Sequence, residues 1–559
     1  MAADKMHEHL RFARLSLEGF ALIVFLVSGT NDAETGKVFL VSGINDAETA
    51  ADFEVVGLIF FVRVLSVFAV RTWYVPDEFW QSLEVAHYLT FGYGYLTWEW
   101  HERIRNFLYP LSISVLYKCL DILHLDSVYM LTTVPRIVQA IFTGLAEYKL
   151  YCWSGRSKWT LFMCLSSWFV FYIGSRTLLN TVEYGIACIA ITQFPWRNCR
   201  SGDQCRFLYT IGLGTAMRPT FIIPWIPLCI YHLYNPKLIF LKEIIVRYVV
   251  ITLIILFASI GIDSLVTQRF SLTCWNFLKI NIVQGVANFY GSHSFHWYLL
   301  IGLPTILSIS IIPFALAAYS MMKNKFSDHI SSLMLISITW NLVIYSMITH
   351  KEFRFLSGSL PMILVVTSKY LSFVCSLRAV PKLASYFIVC AIMLFNLLPM
   401  YYFSWIHQSG TTLLMPALLK TVENYSRSNA VPPNLLFLMP CHSTPYYSHV
   451  HQNLSMRFLT CEPDIKYNGI EDEADVFYQN PQKWLDINYF NVIDDECKNS
   501  SCIGRQNIKD KLPTHLIMFE ELQNRIHKSL KHYKEVVKLF HTHFPTERVS
   551  SHIIIYEIK

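Results

Sequence analysis

From residue 55 to residue 405 the chain is a succession of long apolar runs separated by short polar stretches. A helix that crosses a bilayer needs ~20 mostly apolar residues. Runs of that kind fall at 55–72, 107–124, 127–150, 158–175, 178–195, 207–233, 244–263, 297–320, 329–349, 355–377 and 382–405. The pattern predicts an all-α polytopic membrane protein with about eleven transmembrane helices. The sixth run contains Met217-Arg218-Pro219. Proline removes a backbone donor and clashes with the preceding turn, so a broken helix is expected there. After 405 the pattern changes to mixed polar with no span-length run, which predicts a small mixed α/β domain over 406–559. Residues 1–54 stand apart, because 24–37 is nearly repeated by 38–50. A single tandem copy cannot build a solenoid and carries no functional weight. No secretory signal precedes the first run, which is expected to act as an uncleaved anchor. Three parts are thus expected: 1–54, 55–405 and 406–559.

Composition supports the membrane reading. Hydrophobic residues make up 53% of the chain and charged residues 15%, where soluble proteins carry about 25% charged. The net charge of +6 is small, and the basic residues sit in short loops, which argues for orientation bias and against nucleic-acid binding. Lys237, Lys242 and Arg247, Lys323 and Lys325, and Arg378 and Lys382 share one face if the spans alternate, so that face is cytosolic. Loops 73–106, 264–296 and 350–354 then lie on the other face with everything after 405. Loop 196–206, with Arg197, Arg200 and Arg206, runs against this bias. The tail holds the chain's sequons, at Asn424, Asn453 and Asn499, together with Cys441, Cys461, Cys497 and Cys502. A lumenal, glycosylated domain with one or two disulfides is expected.

Two clusters on that far face carry chemistry. The first is Asp77-Glu78, directly after the first span and ahead of the aromatic-rich "FGYGYLTWEWHERIRNFLYP", which adds Trp98, Glu99, Trp100 and Arg103. A helix N-cap accounts for one acid. Two acids at an interface are costly unless used or paired. The second is His350-Lys351-Glu352-Phe353-Arg354, whose cations suit a phosphate, although a snorkelling loop edge would also carry them. Arg63, Arg136, Arg176, Asn180, Glu183 and Arg218, within or beside spans, suggest a polar cavity in the bundle. There is no Walker-type loop, no HExxH, no paired CxxC and no Asp-x-Asp pair. Six of the 14 cysteines lie in spans, where they pack. A base beside an acceptor hydroxyl and cations beside a departing lipid phosphate would together transfer a sugar from a lipid-linked phosphosugar, which would explain the lack of a nucleotide site. A transporter or scramblase lined by the polar spans is the rival class, and no inverted repeat supports it.

"VPDEFWQSLEVAHY", "YGYLTWEW", "SRTLLNTVE", "MRPT" and "HKEFRFL" resemble glycosyltransferase family 22, the dolichyl-phosphate-mannose-dependent α-mannosyltransferases, in its GPI mannosyltransferase 3 branch. The resemblance runs from about residue 55 into the tail. "RTLLN" departs from it where many relatives have proline before the asparagine. It implies a GT-C fold and transfer of the third, α1,2-linked mannose from dolichyl-phosphate-mannose to the GPI precursor glycolipid in the lumen of the endoplasmic reticulum. It also implies that no metal is needed. It makes Asp77 the general base and Glu78 its partner, two roles the residue types alone leave interchangeable. His350, Lys351 and Arg354 become the donor-phosphate site. Glu99, Trp98, Trp100, Arg103, Arg176 and Arg218 become acceptor-binding or supporting residues. A family 22 enzyme acting on an N-glycan precursor, or adding a fourth GPI mannose, would share the same chemical residues.

Overall fold

The computed structural model describes residues 46–196, 204–234, 241–326, 328–377, 380–463, 471–490 and 512–559. Most of the 24–50 repeat, Arg197, Arg200, Lys237, Arg378, Cys497, Asn499 and Cys502 lie outside the described residues.

Up to Ser428 the described chain is helical. Among the described residues five helices are long and apolar enough to cross a bilayer: Val128–Trp153, Leu241–Thr267, Tyr298–Met322, His329–Met347 and Lys382–Ser428. Each overlaps an expected span; in the last, Lys382–Trp405 matches the span and Gly410–Ser428 is a further helix beyond it. The first expected run falls largely within one 24-residue helix, Asp46–Ala69, and the remaining runs form shorter or interrupted helices, because hydropathy measures the length of an apolar run and not the continuity of its backbone. Leu108–Ile122, Leu179–Gln193 and Leu360–Ser376 have 15, 15 and 17 residues. The run at 158–175 is split into Lys158–Ser166 and Trp168–Ile173 at Ser167, whose extended backbone ends one helix. Its hydroxyl then caps the next, accepting from the Val170 amide at 3.4 Å. The break expected near Pro219 is present. Arg206–Met217 stops at Arg218, which is extended (φ −144°), and a 3-10 stretch, Pro219–Trp225, leads into Ile226–Tyr234.

The chain divides into two compact units. The first comprises Met1–Ala69, Arg103–Tyr109 and Thr133–Tyr401. Its interior holds charge in paired form. Arg63, fully buried, donates from Nε and Nη2 to Glu147 at 2.7 and 2.8 Å, and the Tyr184 hydroxyl donates to the same carboxylate at 2.9 Å. Buried ions persist when they are paired and hydrogen-bonded in this way.

The second unit comprises Val70–Glu102, Pro110–Thr132 and Tyr402–Lys559. The tail thus clusters with the loop that follows the first helix. Its centre is a five-stranded sheet of β1 (Asn434–Leu438), β2 (Ser455–Phe458), β3 (His515–Phe519), β4 (Tyr533–Phe540) and β5 (His552–Ile558), in the order β2-β1-β3-β5-β4. β1 pairs parallel with β2 and β3, and β5 pairs antiparallel with β3 and β4. Leu436, Leu438, Leu516, Met518, Ile554 and Tyr556 fill the core with Trp484 and Phe477. Helix Gly410–Ser428 buries Leu414, Leu418, Val422 and Tyr425, spaced three and four residues apart, which is one helix face. Gly410 starts it where a Cβ would stand 2.9 Å from the Phe540 carbonyl and the His541 Cβ, so only glycine admits that approach. A disulfide joins Cys441, just after β1, to Cys461, just after β2.

Candidate active site

In the second unit, Asp77 opens a helical segment over 77–91, π-type over Phe79–Leu83 and α over Glu84–Phe91. Pro76 sets its start: the Pro76 carbonyl accepts from the amides of Phe79 and Trp80, both at 3.0 Å. Gly92 ends it in the left-handed region at φ 78°. Asp77 is half-buried and Glu78 is buried. Glu78 makes no side-chain capping bond, so capping does not explain the second acid.

The aromatic loop braces this helix. Trp98 and Trp100 are buried, the Trp100 Nε1 donates to the Trp80 carbonyl at 3.3 Å, and Gln81 Nε2 donates to Glu99 at 3.0 Å. The opposite support comes from the turn between β1 and β2. Trp80 Nε1 donates to the Thr444 carbonyl at 2.9 Å, and its ring stacks on Tyr446 with centroids 5.4 Å apart. Fully buried Glu84 accepts from the Tyr446 amide (2.8 Å), the Ser448 amide (3.1 Å) and the Ser448 hydroxyl (2.5 Å). Burial pushes its carboxyl up to about 7 against the pull of those donors. His87 Nε2 lies 3.0 Å from His451 Nδ1, and His451 Nε2 lies 3.3 Å from Asp126. Burial, and next the neighbouring His451, hold His87 down at about 4.

In the first unit, loop 350–354 crosses the start of helix Leu179–Gln193. Asn180 Nδ2 donates to the Arg354 carbonyl at 3.2 Å and to Glu183 at 2.6 Å, and Arg218 Nη1 donates to the same Glu183 oxygen at 2.7 Å. Arg218 lies over the Phe355 ring at 4.8 Å, and Arg354 at 5.7 Å. Glu352, which the sequence reading left without a role, organises the cations. Arg354 grips it through Nε (2.6 Å) and Nη2 (2.7 Å), and His350 Nε2 stands 3.0 Å from it. Arg354 and His350 hold its carboxylate far below the usual range despite its burial. Lys351, also buried, donates to the carbonyls of His293 (3.1 Å) and Ile348. Burial lowers its ammonium pKa. Among the described residues no carboxylate pairs with Lys351, so it is the cation of the loop whose charge is uncompensated.

The acids and the cations thus fall in different units. Asp77, Glu78, Trp98, Glu99 and Trp100 share one; His350, Lys351, Arg354 and Arg218 share the other. Arg176 and Arg103 belong to the second group's unit by different contacts. Arg176 stacks on Tyr172 at 4.2 Å, and Arg103 donates to the Phe270 carbonyl at 3.2 Å. Asn424 and Asn453 are exposed. Among the described residues one set of metal-type ligands converges, Cys441, His442 and Cys461, within 4.8 Å. Its two sulfurs are spent on each other in the disulfide.

A profile of the Alg9-like mannosyltransferase family matches residues 55–451. That range covers the helical unit, the Asp77 helix, loop 350–354 and the turn after β1. The chain belongs to this family. Among individual relatives, GPI mannosyltransferase 3 of Drosophila melanogaster is 42% identical over 87% of this chain and 83% of its own length. GPI alpha-1,2-mannosyltransferase 3 of Bos taurus is 38% identical, over 89% and 88%. The Homo sapiens protein of that name is 37% identical, over 89% and 86%. Among solved structures, ArnT from Cupriavidus metallidurans bound to undecaprenyl phosphate superposes with a TM-score of 0.54 at 10% identity, covering 91% of this chain and 98% of its own. That likeness shows the fold, the GT-C membrane fold expected from the sequence motifs. The family is one of mannosyltransferases, and the apolar helices make this member a multi-pass membrane protein.

Proposed function

We propose that this protein transfers the third, α1,2-linked mannose from dolichyl-phosphate-mannose to the second mannose of the GPI precursor, on the lumenal face of the endoplasmic reticulum membrane. The observation that carries the reading is identity of 37–42% across 83–88% of the length of relatives named for that activity. The polyprenyl phosphate of the ArnT structure supports a lipid-phosphate donor on the same fold.

In this reading Asp77 takes the proton of the acceptor 2-hydroxyl as its oxygen attacks the mannosyl carbon. The carbon–oxygen bond to the phosphate breaks, and dolichyl phosphate departs with the bonding electrons. The donor is β-linked and the product α-linked, so one in-line displacement with inversion suffices, and it needs one base. Glu78 orients Asp77 or the acceptor. Lys351 supplies the uncompensated charge for the leaving phosphate, while Arg354 and His350 stand fixed by Glu352 beside it. Charge stabilisation at the leaving group is expected to be a large share of the rate. The exposed Asn424 and Asn453 carry glycans in this topology. Purified protein given synthetic dolichyl-phosphate-mannose and a two-mannose GPI acceptor should form the three-mannose product with and without EDTA, and cells lacking it should accumulate the two-mannose intermediate. Accumulation of a truncated N-glycan lipid instead would assign it to the other branch of the family.

A further inference from the structure

The mechanism above uses the Asp77 helix but gives no task to the C-terminal domain that the helix folds with. Trp80, Glu84 and His87 of the helix make polar contacts with one turn of that domain, residues 441–451, between β1 and β2, and the rings of Phe79 and Phe91 meet His449 and His451 of the same turn. Trp80 bonds Thr444, Glu84 bonds Tyr446 and Ser448, and His87 meets His451. The grip is made of buried groups: Trp80, Glu84, His87 and Ser448 have 4% exposure or less. A buried carboxylate taking two backbone amides and a hydroxyl defines a position closely, because each donor left unmatched is costly.

The turn is itself held rigid. The Cys441–Cys461 disulfide closes it across 20 residues. His442 and His451 take left-handed backbone at φ 57° and 47°, a region that few non-glycine residues enter. The His442 ring sits edge-on to Trp80 with centroids 4.6 Å apart, and its Nε2 is buried with no hydrogen-bond partner among the described residues. Burial lowers His442 to about 4, and the charge of Asp77 works the other way, so Asp77 lies within electrostatic reach of the turn. The family profile ends at His451. Of the C-terminal domain it keeps the helix, β1 and this turn, and stops before β2.

From this we infer that the 441–451 turn is a positioning element of the reaction centre: acting through Glu84 and Trp80, it fixes where the helix presents Asp77. The inference rests on the assignment of Asp77 as the base. Ser448→Ala removes one donor to Glu84, and Trp80→Phe removes the bond to Thr444 while keeping a ring. With the full-length protein, dolichyl-phosphate-mannose and the two-mannose acceptor, each variant should lose about 10- to 100-fold in kcat, the scale of effect of a misplacement near 1 Å. The donor KM should stay at its wild-type value, and the melting temperature should fall only by the ~1–3 °C that one lost buried hydrogen bond costs in a chain of this size. Val476→Ala, at an exposed site of the same domain outside the turn, should be unchanged. Wild-type kcat in both Ser448→Ala and Trp80→Phe, with Asp77→Asn inactive, would make the turn a scaffold only. A joint fall of kcat, donor affinity and melting temperature would equally overturn the inference, as general loosening. An active Asp77→Asn would instead sink the base assignment itself.

Discussion

Glu183 and Arg218 form the buried ion pair closest to the cation loop. Arg218 Nη1 meets Glu183 at 2.7 Å, with side chains 11% and 4% exposed. Removing one partner strands a charge in a nearly dry site, which costs roughly 3–5 kcal/mol, whereas removing both costs much less. Glu183→Ala should therefore be strongly destabilising, and Glu183→Ala with Arg218→Met should recover most of the loss. Unfolding entropy is about 2.1 cal/mol/K per residue. Over 559 residues that makes ~1.2 kcal/mol/K, so the single variant should melt ~3–4 °C lower. The same change frees Asn180, which shares its amide between Glu183 and the Arg354 carbonyl, so the donor KM should rise with it. The assay is a double-mutant cycle on melting temperature in detergent, with donor kinetics on each variant. Additive effects in the double variant, with coupling below ~0.5 kcal/mol, would refute the ion-pair argument. A stability loss with unchanged donor kinetics would refute the link through Asn180.

Asp77→Asn keeps size and hydrogen bonding but removes the base, so transfer should fall ~10²–10⁴-fold in a protein that still inserts and folds; wild-type turnover would move the role to Glu78. Lys351→Ala should lower kcat/KM for the donor roughly 10- to 150-fold, the equivalent of one charge-assisted hydrogen bond of ~1.5–3 kcal/mol, with the acceptor KM unchanged; a rise in acceptor KM alone would give this loop to the glycan. Glu84 has its carboxyl raised to about 7 in the folded state from 4.5, so folding binds its proton. Its contribution is full below pH 4.5 and is lost as pH rises through 7, a change of ~3 kcal/mol at about 1.4 kcal/mol per unit. Melting temperature measured from pH 5 to 8 should fall more steeply for wild type than for the non-titrating Glu84→Gln, and parallel curves would contradict the burial argument. Glycosidase digestion should shift the mass of the membrane-inserted protein through Asn424 or Asn453; loss of the unshifted tail to protease on the cytosolic side of sealed microsomes would invert the topology.

Apolar runs, the break at Pro219 and the polar tail were legible because each is a local property of composition. Five runs became helices long and apolar enough to cross a bilayer. Ser167 split another, since a serine that caps the following turn looks, in a hydropathy profile, like any small residue. The acids and cations were legible by residue type and motif. Glu84 and Glu352 stood in the two motifs without a role, because what sets them apart is their partners. Glu84 is defined by the amides of Tyr446 and Ser448, more than 360 positions away. Glu352 sits inside a cationic motif and reads as an interruption of it until its two neighbours are seen to close on it. Least legible was which other segments cluster with the tail. A boundary at 405 follows composition, whereas the compact unit takes in 70–102 and 110–132 as well, and nothing local in those residues announces a partner so distant in the chain.

The strand order sets a timetable for biogenesis. β1 is complete at Leu438, but its inner neighbour β3 begins at His515, and β5, which lies between β3 and β4, ends at Ile558. Until residue 558 has been synthesised and delivered, the sheet lacks an interior strand, and a two-stranded β1–β2 ribbon has little independent stability. The helix at 77–91 emerges hundreds of residues earlier and must wait, with Trp80, Glu84 and His87 uncovered, for the turn that buries them. A nascent chain of this protein is thus a natural client for chaperones and disulfide-forming enzymes. A premature stop before His552 would leave every membrane helix intact and still deny the Asp77 helix its settled seat.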